Sequence, residues 1–373
     1  MKNNLTFLEK LLDGAEVKWK PLGKVTDIKT GQSVSKNIIA QNPGIYPVIN
    51  SGREPLGFIN EWNTENDPIG ITTRGAGVGS ITWQEGKYFR GNLNYSVTIK
   101  SEYELNVRFL YHMLLHFQKE IHNLCSFTGI PALNASELKK LEIPIPSLSV
   151  QTEIVKILDS LTALTSELTS ELTLRRKQYE YYREKLLSEE ELEKVGFEWK
   201  PLGEVTNIKT GQAVSKYSIS QNPGIYPVIN SGREPLGFIN EWNTENDPIG
   251  ITTRGAGVGS ITWQEGKYFR GNLNYSVTVK SDYKLNIGFL YHILLHFQKE
   301  IHNLCSFTGI PALNASELKK LEISIPAIEE QQRIVSILDK FETLTNSITE
   351  GLPLAIEQSQ KRYEYYRELL LSF

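Results

Sequence analysis

Four glycine-rich segments of the chain carry polar and basic side chains that can make directional hydrogen bonds. They contain Lys29, Thr30, Gln32, Ser35 and Lys36; Asn50, Ser51 and Arg53; Arg74; and Lys87, Arg90, Asn92 and Asn94. Arginine can donate two hydrogen bonds to guanine, asparagine and glutamine can pair with adenine, and lysine, serine and threonine commonly hold phosphates. One such residue is often only solvated, but the concentration of the set between predicted strands favours DNA binding.

The same set recurs 180 residues later because the chain contains an internal duplication. Residues 19–143 and 199–323 differ at 12 of 125 positions. The changes cluster at 37–40, which we expect to be a surface loop, and the others are mostly conservative, so both copies should share one fold and one binding preference. The second set of candidate DNA-binding residues is Lys209, Thr210, Gln212, Lys216, Asn230, Ser231, Arg233, Arg254, Lys267, Arg270, Asn272 and Asn274.

The glycine-rich run from Arg74 to Ser80 does not fit a dinucleotide-binding loop. Ser80 stands where a third glycine is required, and the residues after it predict a strand, not a helix. We therefore predict a tight β-turn. Gln41-Asn-Pro-Gly superficially resembles the Asn-Pro-Pro-aromatic motif of adenine methyltransferases, but Gly44 replaces the second proline and no cofactor-binding glycine motif accompanies it. We expect no cofactor in this chain.

Histidine and cysteine residues are too sparse to predict a metal site. His112 and His116 lie four residues apart on a predicted helix and could share a face as metal ligands, but they lack the glutamate of a His-Glu-x-x-His motif. We favour packing of their rings beside Tyr111 and Phe117. Cys125 fits a small buried hydrophobe. No catalytic triad, phosphate-binding loop or carboxylate pair of a nuclease is recognisable, so no enzymatic activity is expected.

The segments that carry the polar residues belong to a predicted α+β domain. Between residues 19 and 100, short runs of β-branched and aromatic residues alternate with turn residues and predict short strands. Apolar residues at helical spacing over 106–124 predict one or two helices. Asn134, with Glu137 three positions later, predicts a capping box at the start of a short helix. The segment Ile143-Pro-Ile-Pro ends the globular part.

A long helix is predicted after each domain. Residues 151–187 contain no glycine or proline and place apolar residues at spacings of three and four from Ile154 onward, which predicts a helix of about 54 Å with an apolar stripe. A second stripe starts at Ile334. The two helices can bury their stripes against each other, or each stripe can pack on its own domain.

The register of the second helix differs from that of the first. The run Tyr-Glu-Tyr-Tyr-Arg starts at Tyr179 and again at Tyr363, an offset of 184, so the second helix has gained four residues. Pro353 lies close to the insertion and removes a backbone donor. We predict a kink or break there and an unbroken first helix.

The duplicated segments are mildly basic, whereas the rest of the chain is acidic. Residues 19–143 hold 13 Lys and Arg against 11 Asp and Glu, and residues 199–323 hold 12 against 10, although the net charge of the chain is -3. This balance alone is weak evidence for nucleic acid. The chain has no run of about 18 apolar residues and no secretory signal, so we expect a cytoplasmic protein without a membrane partner.

Several motifs resemble those of the specificity subunits of type I restriction-modification systems. Trp19-Lys-Pro-Leu-Gly opens the first domain, and its repeat opens the second. An Ile-Pro segment followed by Gln151-Thr-Glu-Ile-Val-Lys-Ile-Leu-Asp, or by Gln331-Gln-Arg-Ile-Val-Ser-Ile-Leu-Asp, closes each domain. The Tyr-Glu-Tyr-Tyr-Arg runs mark the ends of the long helices. The resemblance covers essentially the whole chain.

The resemblance implies two target recognition domains separated by two long antiparallel, coiled-coil-like helices with pseudo-twofold symmetry. The expected boundaries are 1–150 for the first domain with its N-terminal segment, 151–190 for the first helix, 191–327 for the second domain and 328–373 for the second helix. The implied partners are double-stranded DNA, two modification subunits that form an adenine methyltransferase, and restriction or translocase subunits. S-adenosylmethionine, ATP and Mg are expected in those partners.

The two recognition domains are nearly identical, whereas members of this family commonly carry two unlike domains. Identical readers related by a twofold axis should bind an inverted repeat, as symmetric dimers do. The sequence therefore predicts a symmetric bipartite target with an unspecified spacer. The alternative function is a non-enzymatic coiled-coil adaptor with duplicated protein-binding or glycan-binding domains.

Overall fold

A computed structural model describes residues 7–52, 54–232 and 234–373. The chain forms two compact units. Unit 1 extends to Leu168 and includes Ile356–Phe373, and unit 2 is Thr169–Ala355. Each unit therefore contains one copy of the duplicated domain, called the recognition domain after its predicted role, together with helical segments that follow both copies of the duplication. Arg53 and Arg233, two of the candidate DNA-binding residues, lie outside the described residues.

The recognition domain of unit 1 is α+β, as predicted. Its elements are α1 (Phe7–Leu12), β1 (Lys18–Pro21), α2 (Leu22–Val25), β2 (Thr26–Thr30), α3 (Lys36–Gln41), β3 (Pro43–Ile49), β4 (Phe58–Ile59), β5 (Ile69–Thr72), β6 (Ile81–Trp83), β7 (Phe89–Arg90), β8 (Asn94–Ile99), α4 (Val107–His116), α5 (Gln118–Asn123), α6 (Ala135–Leu138) and β9 (Glu142–Ile145). The helical region after residue 106 is thus two helices.

Two sheets and a strand pair build this domain. The larger sheet has the order β2-β8-β5-β6 with antiparallel neighbours. In the smaller sheet, β4-β3-β7, strand β3 pairs antiparallel with β4 and parallel with β7. Strand β1 pairs with β9, placing Trp19 opposite Pro144, so the start and end of the domain are hydrogen-bonded together.

The main core of unit 1 lies between the larger sheet and helix α4. Asn106 caps α4 by accepting hydrogen bonds from Arg108 N and Phe109 N. The helix then buries one apolar face, which is Phe109, Leu110, Met113 and Leu114, against β5 residues such as Ile69. Burial of a large apolar side chain contributes about 1.5–3 kcal/mol, so this face fixes the position of α4 on the sheet.

The long helix α7 (Leu148–Leu186) has 39 residues and is unbroken, as predicted, with a length of about 58 Å. Ile154 and Leu158 are fully buried in the core of unit 1, whereas Leu164 is exposed. The first part of the apolar stripe therefore packs on its own recognition domain. Further along its length, α7 pairs with another helix. The apolar stripe therefore packs partly on its own domain and partly on a second helix, so both alternatives considered from the sequence apply.

Unit 2 repeats the domain of unit 1 with the same order of elements. They are α8 (Glu189–Glu193), β10 (Phe197–Pro201), α9 (Leu202–Val205), β11 (Thr206–Thr210), α10 (Lys216–Gln221), β12 (Pro223–Ile229), β13 (Phe238–Ile239), β14 (Ile249–Thr252), β15 (Ile261–Trp263), β16 (Phe269–Arg270), β17 (Asn274–Val279), α11 (Ile287–His296), α12 (Gln298–Asn303), α13 (Ala315–Leu318) and β18 (Glu322–Pro326), followed by α14 (Ile328–Asn346) and α15 (Leu352–Leu371). Its sheets are β11-β17-β14-β15 and β13-β12-β16.

Within each unit, two helix segments run antiparallel. In unit 1, Thr165 Oγ1 of α7 lies 2.8 Å from Ser359 Oγ of α15. In unit 2, Tyr182 of α7 stacks on Phe341 of α14 with ring centroids 5.5 Å apart, and Arg176 is hydrogen-bonded to the Thr345 carbonyl. In unit 1, Asp159 of α7 and Tyr363 of α15 bond to the same histidine, whereas Thr165 faces Ser359. In both units the partner residue number therefore falls as the α7 number rises, which confirms an antiparallel arrangement inside each unit.

A buried histidine links three helices in each unit. His112 Nε2 of α4 lies 2.7 Å from Asp159 Oδ1 of α7, and its Nδ1 lies 3.1 Å from Tyr363 Oη of α15. In unit 2, His292 bonds to Asp339 and Tyr179 in the same way. A neutral imidazole satisfies both contacts because it donates from Nε2 and accepts at Nδ1. Packing of this ring beside Tyr111 is confirmed.

The predicted break in the second long helix is confirmed, but it precedes the proline. Helix α14 ends at Asn346 and α15 starts at Leu352, so Pro353 lies in the first turn, where proline is tolerated. Between the helices, Ser347 Oγ accepts hydrogen bonds from the backbone of Thr349 and Glu350. Gly351 has φ +87°, a conformation that glycine adopts without the cost of a Cβ.

Two local predictions were wrong. Residues 37, 38 and 40 are exposed and Ile39 is partly buried, but all four belong to helix α3, which Ser35 caps by accepting a hydrogen bond from Ile38 N. Asn134 does precede the short helix α6, but its side chain makes no capping hydrogen bond. Among the described residues, no helix combines the length and apolar character needed to cross a membrane.

Candidate nucleic-acid interface

Backbone hydrogen bonds join the predicted DNA-binding segments into one contiguous surface. Gln32 N donates to Arg90 O at 2.9 Å, and Gly91 N donates to Ile49 O at 2.8 Å. Thr73 N in turn donates to Leu93 O at 2.9 Å. We call segments 29–36, 50–52, 73–77 and 91–93 the recognition surface of unit 1. Segments distant in sequence thus become neighbours, because strands of the two sheets end next to one another.

The exposed members of the predicted set lie on this surface. They are Lys29, Thr30, Gln32, Lys36, Arg74 and Asn92, with Ser51 half-buried. Lys29 and Thr30 are in strand β2 and Lys36 begins α3, so the first predicted DNA-binding segment is only partly a loop. The turn from Arg74 to Ser80 between β5 and β6 is confirmed, with Gly75 and Gly79 at positive φ.

Arg90 is not part of the exposed surface, although the sequence predicts it as a DNA contact. Its side chain is 4% exposed, and its guanidinium donates to the carbonyls of Asp67, Ile69 and Tyr95 and to Asn94 Oδ1. Burial lowers its pKa, while the neighbouring Tyr88 and Asp67 oppose that change. Because both terminal nitrogens of this guanidinium donate to protein oxygens, Arg90 holds the fold together instead of reading bases.

Asn50 and Asn94 are also buried, so the prediction that they contact DNA is corrected. Asn50 Oδ1 accepts a hydrogen bond from Leu93 N at 2.9 Å and thereby holds the turn between β7 and β8. A Cβ at Gly91 would lie 2.4 Å from Asn50 Oδ1, so this turn requires glycine. Asn94 is fully buried beside Arg90. Both amides lie buried beneath the recognition surface and stabilise it.

Lys87 is exposed but already has two partners. Its Nζ lies 4.6 Å from the centroid of the Trp62 ring and 4.0 Å from Glu65 Oε1. Lys267 repeats both contacts, with Trp242 and Glu245. These contacts leave the ammonium groups solvated at the surface, but they reduce the charge available to a phosphate.

Unit 2 presents the same surface, joined by the same backbone hydrogen bonds. Gln212 N donates to Arg270 O at 3.0 Å, and Thr253 N donates to Leu273 O at 2.9 Å. The exposed members are Lys209, Thr210, Gln212, Lys216, Arg254 and Asn272, with Ser231 half-buried. The second-copy predictions for Asn230, Arg270 and Asn274 are corrected as in unit 1, because all three side chains are buried.

Two features of the surface were missed from the sequence. Asn63 Nδ2 donates to Gln32 Oε1 at 3.2 Å, so Asn63 orients a candidate base-reading side chain. The loop 126–132 lies beside Arg74, because Arg74 pairs with Ala132 in an isolated bridge. Phe127 and Ile130 of that loop are 52% and 72% exposed. In the sequence, the apolar residues on either side of Gly129 were the signal that could have indicated this loop.

The exposed groups of this surface suit hydrogen bonding to nucleic acid. The exposed groups are a guanidinium, amides, ammonium groups and hydroxyls, which suit base edges and phosphates. Cys125 is buried with its Sγ directed to the Ile121 carbonyl, and burial raises the pKa of its thiol, so it is a poor nucleophile. In the described segments of the surface, no side chain forms a nucleophile–base pair.

Comparison with known families gives one consistent description. The type I restriction modification DNA specificity domain matches residues 15–174 and again residues 194–358. A Haemophilus influenzae protein named as a type I restriction enzyme specificity subunit is 41% identical over 100% of both chains. An Escherichia coli type I restriction enzyme specificity subunit is 34% identical and covers 100% of this chain and 98% of that one.

Solved structures share the fold at lower sequence identity. The type I restriction-modification S subunit from M. genitalium has a TM-score of 0.68 and 23% identity, covering 96% of this chain and 97% of that one. A chain from a structure describing complex assembly and conformational transition of the type I system has a TM-score of 0.55 and 16% identity, with 95% and 97% covered. These likenesses concern the fold.

Proposed function

We propose that this chain, a member of the type I restriction-modification DNA specificity family, reads a symmetric bipartite DNA target. Members of this family are the non-catalytic subunits that recognise the DNA sequence. The target consists of two short complementary half-sites around an unspecified spacer. The recognition surface of unit 1 reads one half-site, and the equivalent surface of unit 2 reads the other.

The equality of the two surfaces carries this proposal. Residues 41–98 and 221–278 are identical in sequence, and each exposed candidate residue on one surface has the same residue type on the other. A hydrogen-bond network with matching distances supports each surface. Two equal sets of side chains favour the same bases, so two unlike half-sites would have no residues to distinguish them.

The inverted orientation of the half-sites rests on the helices. Each unit contains the first part of the helix that follows its own domain and the last part of the helix that follows the other domain. Reciprocal exchange of this kind is the contact pattern of isologous pairs, in which residue i meets j and j meets i. Isologous readers bind inverted repeats.

The catalytic steps belong to partner subunits in this proposal. Two modification subunits supply adenine methylation with S-adenosylmethionine, and restriction or translocase subunits supply ATP- and Mg-dependent cleavage. The present chain selects the DNA sequence for both, in the cytoplasm where the chromosome lies. The family assignment does not favour the alternative of a protein- or glycan-binding adaptor.

Methylome sequencing tests the symmetric target. A strain expressing this chain with its modification subunits should carry a new methylated motif whose two halves are reverse complements, with one adenine modified per strand. A strain lacking only this chain is the control and should lose the motif. A motif with two unrelated halves would refute the proposal.

A further inference from the structure

The two copies differ at a position where unit 1 holds an arginine in a defined pocket. The Arg108 guanidinium carbon lies 4.4 Å from the centroid of the Trp83 ring and 5.0 Å from that of Tyr111. Its Nε donates to Asp159 Oδ1 at 2.8 Å. Two aromatic rings and one carboxylate thus bind the cation within unit 1.

Unit 2 keeps the pocket but lacks the arginine, because Gly288 replaces it. The centroids of Trp263 and Tyr291 are 5.1 Å apart with an interplanar angle of 58°, against 5.1 Å and 60° for the equivalent rings of unit 1. Asp339 replaces Asp159 and again lies against the buried histidine, at 2.8 Å. The result is a pocket of about 380 Å³ lined by these residues.

A second change makes the pocket of unit 2 more acidic. Glu342 stands where unit 1 has Thr162, and Tyr291 Oη donates to its Oε1 at 3.1 Å. Burial raises the pKa of Glu342 and the nearby Asp339 raises it further, although the hydrogen bond from Tyr291 and the charge of Arg183 oppose this change. Among the described residues, no lysine or arginine forms an ion pair with Glu342. The pocket also adjoins the C-terminal turn of α14, where the helix dipole favours a cation.

We propose that this pocket of unit 2 binds a guanidinium group, supplied by an arginine side chain of a protein partner. The pocket combines two aromatic rings, which attract a planar cation, with two carboxylates, which accept its forked donors. Unit 1 shows the equivalent rings and aspartate holding a guanidinium of the chain itself. The chemistry of the pocket does not depend on DNA recognition; only the choice of partner, a subunit of the complex, rests on the proposed function.

A metal ion is the weaker interpretation of the same cluster. His292, Asp339 and Glu342 offer three potential ligand atoms close together. The His292 side chain is fully buried, however, and both of its nitrogens already face protein partners, Nε2 toward Asp339 and Nδ1 toward Tyr179 Oη. The imidazole therefore has no free lone pair for a metal, whereas the rings and carboxylates remain accessible to a guanidinium.

Titration calorimetry of the full chain with N-acetyl-arginine amide tests the site. The wild-type chain should bind one equivalent, and the N-acetyl-lysine analogue should bind at least tenfold more weakly. Gly288→Arg, which supplies the guanidinium from within, should weaken binding of the arginine probe at least tenfold and raise the melting temperature. Arg108→Gly is the mirror variant and should add a second site, severalfold weaker than the first because Thr162 stands there in place of Glu342.

Gly288→Arg should fold, and its binding of the probe distinguishes a guanidinium site from a metal site. A Cβ at position 288 would lie 3.1 Å from Val335 Cγ1, and unit 1 accommodates Arg108 beside the equivalent Val155. Equal binding by wild type and Gly288→Arg, or displacement of the probe by Zn²⁺ at stoichiometric concentration, would overturn the guanidinium assignment. Glu342→Thr should weaken the probe severalfold.

A second measurement identifies the source of the guanidinium. Association of the modification subunits should weaken about tenfold with Gly288→Arg and remain unchanged with Arg108→Gly. If the probe binds as expected but Gly288→Arg leaves association unchanged, the partner arginine is refuted and a free guanidinium compound is the ligand. Such a result leaves the proposed DNA target intact, since methylome sequencing tests that separately.

Discussion

Arg74 and Arg90 carry the same charge in neighbouring segments of one surface but have opposite surroundings. Arg74 is exposed in the β5–β6 turn, and its backbone pairs with Ala132. Arg90 is buried, and protein oxygens accept its hydrogen bonds. The first is free to reach a base, whereas the second connects β5, β7 and β8. Their substitution should therefore produce different defects.

Arg74→Ala with Arg254→Ala should weaken DNA binding by the assembled complex without unfolding it. Loss of a bidentate base contact costs about 1–3 kcal/mol per site, and an exposed substitution changes stability by no more than about 0.5 kcal/mol. Fluorescence anisotropy with the methylated motif measures the affinity. The matched control is Lys140→Ala with Lys320→Ala, which removes the same charge at exposed sites outside the recognition surface.

Arg90→Ala should instead lower the free energy of unfolding of unit 1 by about 3–5 kcal/mol, because it leaves buried oxygens without their donor. Urea unfolding followed by far-UV circular dichroism measures the loss. A variant that is as stable as wild type but binds DNA weakly would reverse the roles assigned to the two arginines.

Residue type and loop position predict a set of candidate DNA-binding residues, but they do not predict which of these residues are exposed. Gln32, Arg74 and Asn92 are on the surface as expected. Arg90 and Asn94 are buried because Asp67 and Ile69, more than twenty residues away, fold over them, and such long-range burial has no local pattern. The Gly288 pocket was likewise hidden, since its walls come from three distant segments.

The elements that hold each unit together are the three helices joined at a buried histidine. His112 connects α4 to α7 and α15, and His292 connects α11 to α14 and α7. The helical periodicity predicted the long helices and their break, because it is a local property. It did not predict the histidine contacts, which depend on where helices distant in sequence pack.

The histidines should make helix packing sensitive to mild acid. Burial lowers the pKa of His112 and His292 below the ordinary value, although the hydrogen bond to aspartate partly opposes this. The unfolded chain then binds protons that the folded chain does not, so stability is present above about pH 6.5 and is lost as pH falls toward the folded pKa. Each pH unit in that window removes up to about 1.4 kcal/mol per histidine.

Urea unfolding at pH 7.5 and pH 5.5 measures this effect. His112→Gln with His292→Gln keeps a donor to the aspartates but does not titrate, so the variant should lose less stability than wild type between the two pH values. An equal loss in both proteins would show that carboxylates, not these histidines, determine the acid sensitivity.

At the scale of the whole molecule, charge is divided between the recognition domains and the helices. The net charge of -3 conceals two mildly basic segments, 19–143 and 199–323, and an acidic remainder. Because the exposed lysines lie on both recognition surfaces, DNA binding should depend on release of counterions from phosphates. The duplication and its consequence for symmetry are visible from sequence comparison alone, since they require no contact.

Affinity for the methylated motif should therefore fall steeply as salt rises. The slope of log affinity against log salt should be about -0.9 for each phosphate contacted, and Lys29→Ala with Lys209→Ala should make it shallower by about 1.8. Anisotropy titrations from 50 to 250 mM salt provide the slope. A salt-independent affinity would show that these lysines do not contact phosphates.

The exchange of helix segments determines the order in which the two units can be completed during synthesis. Unit 2 ends at Ala355, but unit 1 needs Ile356–Phe373, whose Tyr363 hydroxyl bonds to His112. The ribosome therefore supplies every residue of the second unit before it supplies the last segment of the first. A stop codon just after Ala355 would leave unit 2 complete and unit 1 without its last helical segment.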